Sequence, residues 1–198
     1  MMKCIQRRVR GKHRGERGMS LIELMAALLI TVIGLTAITQ LLILAINTNN
    51  RNARDTTATL LAQKVIEQIA AINPATPNTV TITDCAGNAQ TISTTEGAGP
   101  SGAGAKLVTN AGSASYGGID QTQAFGAIPN GYAMRYVDCS DQGGVQTTYD
   151  VRWNIMTLRA GSTRLITTSA RSAASNATLL GGRLFALPVN LRTIGGTP

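Results

Sequence analysis

Histidine is almost missing from this chain of 198 residues: His13 is the only one. Beyond it, no Ser-His-Asp triad, Cys-His dyad or histidine-bearing zinc site can be assembled. Aromatic residues make up only 4% and charged residues only 14%. Gly, Ala, Thr, Ser and Asn carry much of the chain, which favours turns and short strands over a large enzyme core. Cysteine is scarce too, with Cys4, Cys85 and Cys139. Length alone suits one domain able to bury a core.

Charge is abundant in one place and absent in another. The formal net charge is +8 and the pI is near 10.0. Taken whole, that suggests a nucleic-acid or anionic-surface ligand. The distribution points elsewhere. Residues 1–18 hold Lys3, Arg7, Arg8, Arg10, Lys12, Arg14 and Arg17 against one acid, Glu16. The rest of the chain has eleven basic residues against nine acidic ones. The excess charge therefore belongs to the head of the sequence.

Between Glu23 and Arg51 no residue carries a formal charge. From Leu24 to Ile46 the run is nearly all apolar, with Thr31, Thr36, Thr39 and Gln40 as exceptions. As a helix it reaches about 35 Å, enough to cross a hydrocarbon core of about 30 Å. Its apolar residues lie on every side, unlike the single stripe of a surface helix. A buried core helix and a signal peptide are the alternatives. The run exceeds a signal-peptide core, and Asn47-Thr48-Asn49-Asn50-Arg51 offers no small-residue cleavage pattern. The positive-inside rule keeps residues 1–18 in the cytoplasm and exports the chain after about residue 47. Glu23, at the edge of the run, has two readings. It is an acid at a helix start, forming a capping box with Ser20, or it is a functional carboxylate at a membrane boundary.

The string Gly18-Met19-Ser20-Leu21-Ile22-Glu23-Leu24-Met25 resembles the processing site of type IV pilins and of the related type II secretion pseudopilins. In that family a prepilin peptidase cuts after the leader's last Gly and methylates the new N-terminal amine. The resemblance makes Gly18 the last leader residue, Met19 the methylated terminus, and Glu23 the fifth-position acid used in assembly. Shorter pieces resemble minor pilins of the PilV kind (type IV pilus modification protein). They are Ile33-Gly34-Leu35, Ala62-Gln63-Lys64-Val65-Ile66-Glu67-Gln68 and Tyr149-Asp150-Val151-Arg152-Trp153. Two departures stand out. Met19 occupies a position where most type IVa pilins have Phe. No proline occurs between residues 19 and 73, so the proline-linked helix unwinding of major pilins is not carried over.

The implied partners are prepilin peptidase, other major and minor pilins, and the assembly machinery of the inner membrane. The implied location is a single pass through the inner membrane with the head in the periplasm, then the pilus and cell surface. No enzyme activity, cofactor or metal is implied. No nucleic acid is expected either, since the chain after the leader carries no basic stripe.

The apolar pattern continues past Arg51 at helical spacing through Ala58, Leu61, Ala62, Val65, Ile69 and Ile72. Pro74 ends it, with Asn73 pushed to an extended geometry. One helix from about Ser20 to Ile72 is expected. The domain organisation is then a basic leader over 1–18, a membrane or filament-core helix over 19–50, its amphipathic continuation over 51–74, and a β-rich head over 75–198. In the head, Val145, Thr147, Tyr149, Val151, Trp153 and Ile155 alternate with polar residues. That period predicts a strand with one buried face. Tyr132, Met134 and Tyr136 form a strand before it, and Thr163 to Ala170 one after it. Ser140-Asp141-Gln142-Gly143-Gly144 and Arg159-Ala160-Gly161-Ser162 make the turns between them. The result is a three-stranded antiparallel meander on the helix stripe, hence class α+β. Residues 96–105 are low in complexity and predict a mobile surface loop. Residues 179–191 predict a last edge strand. Once the leader is removed, Cys85 and Cys139 are the remaining pair in an oxidising compartment, where a disulfide is expected and two free buried thiols are the alternative. A calcium site at Asp138 and Asp141 has too few ligands.

The function expected from the sequence is a minor type IV pilin. A minor pseudopilin and an uncut single-pass binding protein are the alternatives.

Overall fold

The computed structural model describes residues 19–109, 116–139, 146–159, 162–173 and 187–196. The leader with Gly18 and Cys4, the turn 140–144 with Asp141, Val145, Ala160-Gly161 and residues 179–186 lie outside them. The class is α+β: one long N-terminal helix and antiparallel β-structure. The chain separates into two units, 1–48 and 49–198.

Helix α1 covers Leu21–Ala70. Nothing in Leu21–Ala70 interrupts it, since proline is absent and Gly34 is the only glycine. Its residues in the first unit are exposed along their whole length. In the second unit the stripe Ala58, Leu61, Ala62, Val65 and Ile69 is buried. Ile72, expected to be the last helical position, is half-buried just past the end of the helix. There the Ile72 N–H donates to Ile69 O at 3.2 Å, tightening the final turn. Asn73 accepts from the Ala75 and Thr76 amides and turns the chain away.

The head begins with a hairpin of β1 (Thr79–Thr83) and β2 (Ala89–Ser93). Two short strands follow, β3 (Ala103–Gly104) and β4 (Leu107–Thr109), and β4 pairs with β5 (Tyr116–Ile119). The main sheet adds β6 (Ala133–Asp138), β7 (Thr147–Arg159), β8 (Thr163–Ser172) and β9 (Val189–Gly196). The expected meander is present as β6-β7-β8, antiparallel in sequence order. The sheet is wider than that. β9 adds antiparallel to β8, and β3 shares with β6 the edge of β7 opposite β8. An edge strand from the tail does form, at Val189–Gly196.

Two expectations need correction. The first concerns β7, where the period-two pattern predicts one buried face. Every residue from Tyr149 to Met156 is buried. One face carries Tyr149, Val151, Trp153 and Ile155, in one apolar cluster with the helix stripe and Ile166 and Ala170 of β8. The other face carries Asp150, Arg152 and Asn154, over which lie the carbonyls of Ser101, Ala105, Asp120 and Gln123. Arg152 Nη1 donates to Asp120 O at 3.3 Å and to Gln123 O at 2.7 Å. Polar side chains satisfied this way can be buried at little net cost, and periodicity does not register it.

The second correction is residues 96–105. Residues 98–101 are exposed as a surface loop would be, but Gly97 and residues 102–105 are a fitted part of the sheet edge. Gly97 N–H donates to Ile155 O, and Gly97 O accepts from Thr157 N–H, both at 3.0 Å. Asn154 Nδ2 donates to Ser101 O and Ala105 O, each at 2.8 Å. Ala105 is fully buried. Glycine is needed here for close approach: Gly104 sits at φ +114, and a Cβ there would strike Trp153 O and lie 2.7 Å from Tyr132 Cδ1.

Candidate processing and anchoring site

The candidate site is the start of the helix. Ser20 O accepts from Glu23 N–H at 3.0 Å and from Leu24 N–H at 3.1 Å, closing the first turn. Met19 and Glu23 are both exposed. Met19 lies two residues before the first helical residue, Leu21, and Glu23 two residues after it. Gly18, on the far side of the expected scissile bond, lies outside the described residues. Glu23 is placed in the first turn of α1, where an acid complements the helix dipole.

The segment behind it is suited to lipid or to a protein stack. None of the large apolar side chains from Leu21 to Ile46 is buried within the chain. α1 is long and apolar enough to cross a membrane. The threonines, apparent interruptions in the sequence, satisfy themselves. Thr31 Oγ1 donates to Ala27 O at 2.7 Å, Thr36 Oγ1 to Ile33 O at 2.8 Å, and Thr39 Oγ1 to Leu35 O at 2.8 Å. A hydroxyl bonded to its own helix leaves no unpaired donor in hydrocarbon. Past the apolar run, Arg51 Nε lies 3.9 Å from Asp55 Oδ2, an exposed pair of slight energetic weight.

The remaining predicted site residues are in the head. Cys85 and Cys139 are joined by a disulfide with Cα atoms 6.0 Å apart. The bond ties the chain just past β1 to the chain just past β6. Closing that 54-residue separation is worth about 4 kcal/mol in the chain-entropy model. Asp84 reinforces the same junction. Its Oδ1 accepts from Asn88 N–H at 2.8 Å, and its Oδ2 from Asn88 Nδ2 at 3.0 Å and Val137 N–H at 3.3 Å. Asp138 stands at the end of β6. Among the described residues, no three His, Cys, Asp or Glu side chains gather in a metal-binding group.

One structural residue escaped the sequence reading. Arg164 is fully buried and joins the helix to the sheet. Its Nη2 donates to Ile69 O and Ile72 O, and its Nη1 to Thr94 O at 3.2 Å. A cation thus caps the carbonyls at the helix end, adding to the Ile72 N–H bond that Ile69 O already accepts. Burial pulls the Arg164 pKa down, and the field of Glu96 opposes this. No local signal announced it: Arg164 lies five residues beyond Arg159 in a strand-like run, and only docking of the helix brings the carbonyls to it.

Comparison with known proteins bears on this N-terminal segment. Residues 13–39 match the family model of the prokaryotic N-terminal methylation motif. No curated protein matches the chain, and no solved structure matches it.

Proposed function

We propose that this chain, type IV pilin-like in its N-terminal motif and its α+β architecture, is a minor pilin. It is a structural subunit that prepilin peptidase processes and that joins, or primes, a type IV pilus. One observation carries the reading: the methylation motif over residues 13–39 opens directly into a helix exposed along its apolar half. A monomer has no internal use for that surface. A bilayer covers it before assembly, and neighbouring helices cover it in a filament.

In this reading the basic leader holds the N-terminus in the cytoplasm. Cleavage between Gly18 and Met19 discards it, and methylation follows at the Met19 amine. The ammonium of Met19 then pairs with Glu23 of a neighbouring subunit, where low dielectric favours the pair over either charge alone. Other pilins and the inner-membrane assembly machinery are the partners, and the head faces the periplasm and then the cell surface. The PilV-like pieces favour a minor pilin. A minor pseudopilin uses the same chemistry and is separated from it by the filament into which the subunit is built.

N-terminal sequencing and mass analysis of the protein from peptidase-competent cells test the reading. Methylated Met19 is the expected first residue. An intact terminus at Met1 or Met2 rejects both the pilin and the pseudopilin.

A further inference from the structure

The face of the main sheet opposite the helix stripe gathers three guanidinium groups around one carboxylate. Arg135 of β6, Asp150 of β7 and Arg171 of β8 are cross-strand neighbours in register, so their side chains share one face. Arg152, two residues beyond Asp150, shares it too. Asp150 is spent on Arg152: Nε reaches Oδ1 at 2.9 Å and Nη2 reaches Oδ2 at 2.7 Å. This is a bidentate fork, the strong form of the ion pair. Arg152 is buried, and its Nη1 is held by the carbonyls of Asp120 and Gln123. It has nothing left to offer a partner.

Arg171 is in a different position. It makes a third bond to the already engaged Oδ2, at 3.3 Å, and its side chain is 34% exposed. Arg135 is exposed and lies over the Phe125 ring at 5.0 Å, a contact that orients a guanidinium without neutralising it. Asp120 adds a carboxylate that feels Arg152, but its oxygen is turned onto Thr122 N–H and Oγ1 at 2.8 and 2.6 Å. Among the described residues, three guanidiniums therefore face two carboxylates, and the surplus sits at the two solvent-accessible arginines. Their Cα atoms are two strand spacings apart, about 10 Å.

We propose that Arg135 and Arg171 form a docking point for an acidic segment of a partner polypeptide, with its carboxylates received on either side of the buried Asp150–Arg152 pair. Charge complementarity selects the partner, and the buried pair serves as a fixed floor that positions both arginines. The proposal stands apart from the filament reading, because it needs neither cleavage nor Glu23.

The test uses the full chain in detergent micelles at low salt, following the arginine Nε–H signals by NMR. The probes are a hexaglutamate peptide, a hexalysine peptide and inorganic phosphate. Hexaglutamate is expected to shift the Arg135 and Arg171 signals saturably while Arg152 stays fixed. Arg135→Gln is expected to weaken binding about threefold, and Arg135→Gln with Arg171→Gln about tenfold. Arg135→Lys should restore part of the loss. An unchanged Arg152 signal reports an intact fold, and the exposed Arg135→Gln decides alone if the double variant fails to fold. The proposal is overturned by no saturable shift, by affinity that the variants leave unchanged, or by phosphate or hexalysine matching hexaglutamate.

Discussion

Glu23 shows how much a single residue can carry before any fold is known. It is the charge at the N-terminal edge of a run of 27 uncharged positions, from 24 to 50, and it sits in the first turn of the helix. If its role is to meet the Met19 ammonium of a neighbour, Glu23→Val leaves cleavage at Gly18 largely intact and abolishes incorporation into filaments. Immunoblots of membrane and sheared-surface fractions check both halves, and normal incorporation of the variant removes the pairing role. Asp84 carries a different kind of prediction. Burial pushes its pKa up, but hydrogen bonds from the Asn88 side chain and from the Asn88, Val137 and Ala86 amides outweigh it and hold the pKa below the usual aspartate value. Ionised Asp84 therefore stabilises the fold above its unfolded pKa, and that contribution is lost as pH falls through the lower folded value. Urea titrations at graded acid pH should show a loss below about pH 4, with a shallower acid limb in Asp84→Asn.

At the scale of elements, legibility followed locality. The long helix was readable because its cause is local: no proline, a continuous apolar run, then a stripe at helical spacing. The strand pair β7–β8 was readable for the same reason. The glycine-rich stretch 96–105 was not. Its composition matches a surface loop, while its structure depends on Ile155, Thr157 and Asn154, some fifty residues later. A test of that correction is Gly104→Ala. The substituted Cβ would meet Trp153 O and the Tyr132 ring at a positive φ, so a loss of about 2 kcal/mol or more is expected in denaturant unfolding. Gly87→Ala is the control for strain alone, since φ is +85 but nothing lies within 4 Å. Equal costs for the two would return the stretch to a loop.

At the scale of the whole molecule, the excess positive charge of the chain is concentrated at its N-terminal end. Seven of the eighteen basic residues lie in the first eighteen positions. Processing after Gly18 would remove them with a single acid. Isoelectric focusing is therefore expected to show precursor and mature forms well separated, with the mature form less basic than the precursor near pI 10.0. A single band at the precursor position in peptidase-competent cells would contradict processing. In the head, Arg135 and Arg171 are two of several basic residues that reach solvent, with Arg54, Lys64, Lys106 and Arg159 elsewhere on it. The Arg135 and Arg171 pair is too little for a nucleic-acid stripe, but enough for a small acidic contact.

The sequence by itself determined the N-terminal methylation motif and the long helix, because both follow from residues adjacent in the chain. It also set the α+β class, through a change of hydrophobic period from helical to alternating. Tertiary structure alone decided that both faces of β7 are buried and that Arg164 closes the helix end. Those outcomes rest on hydrogen bonds between groups up to 95 residues apart, and no local pattern encodes which distant carbonyl a buried guanidinium will meet.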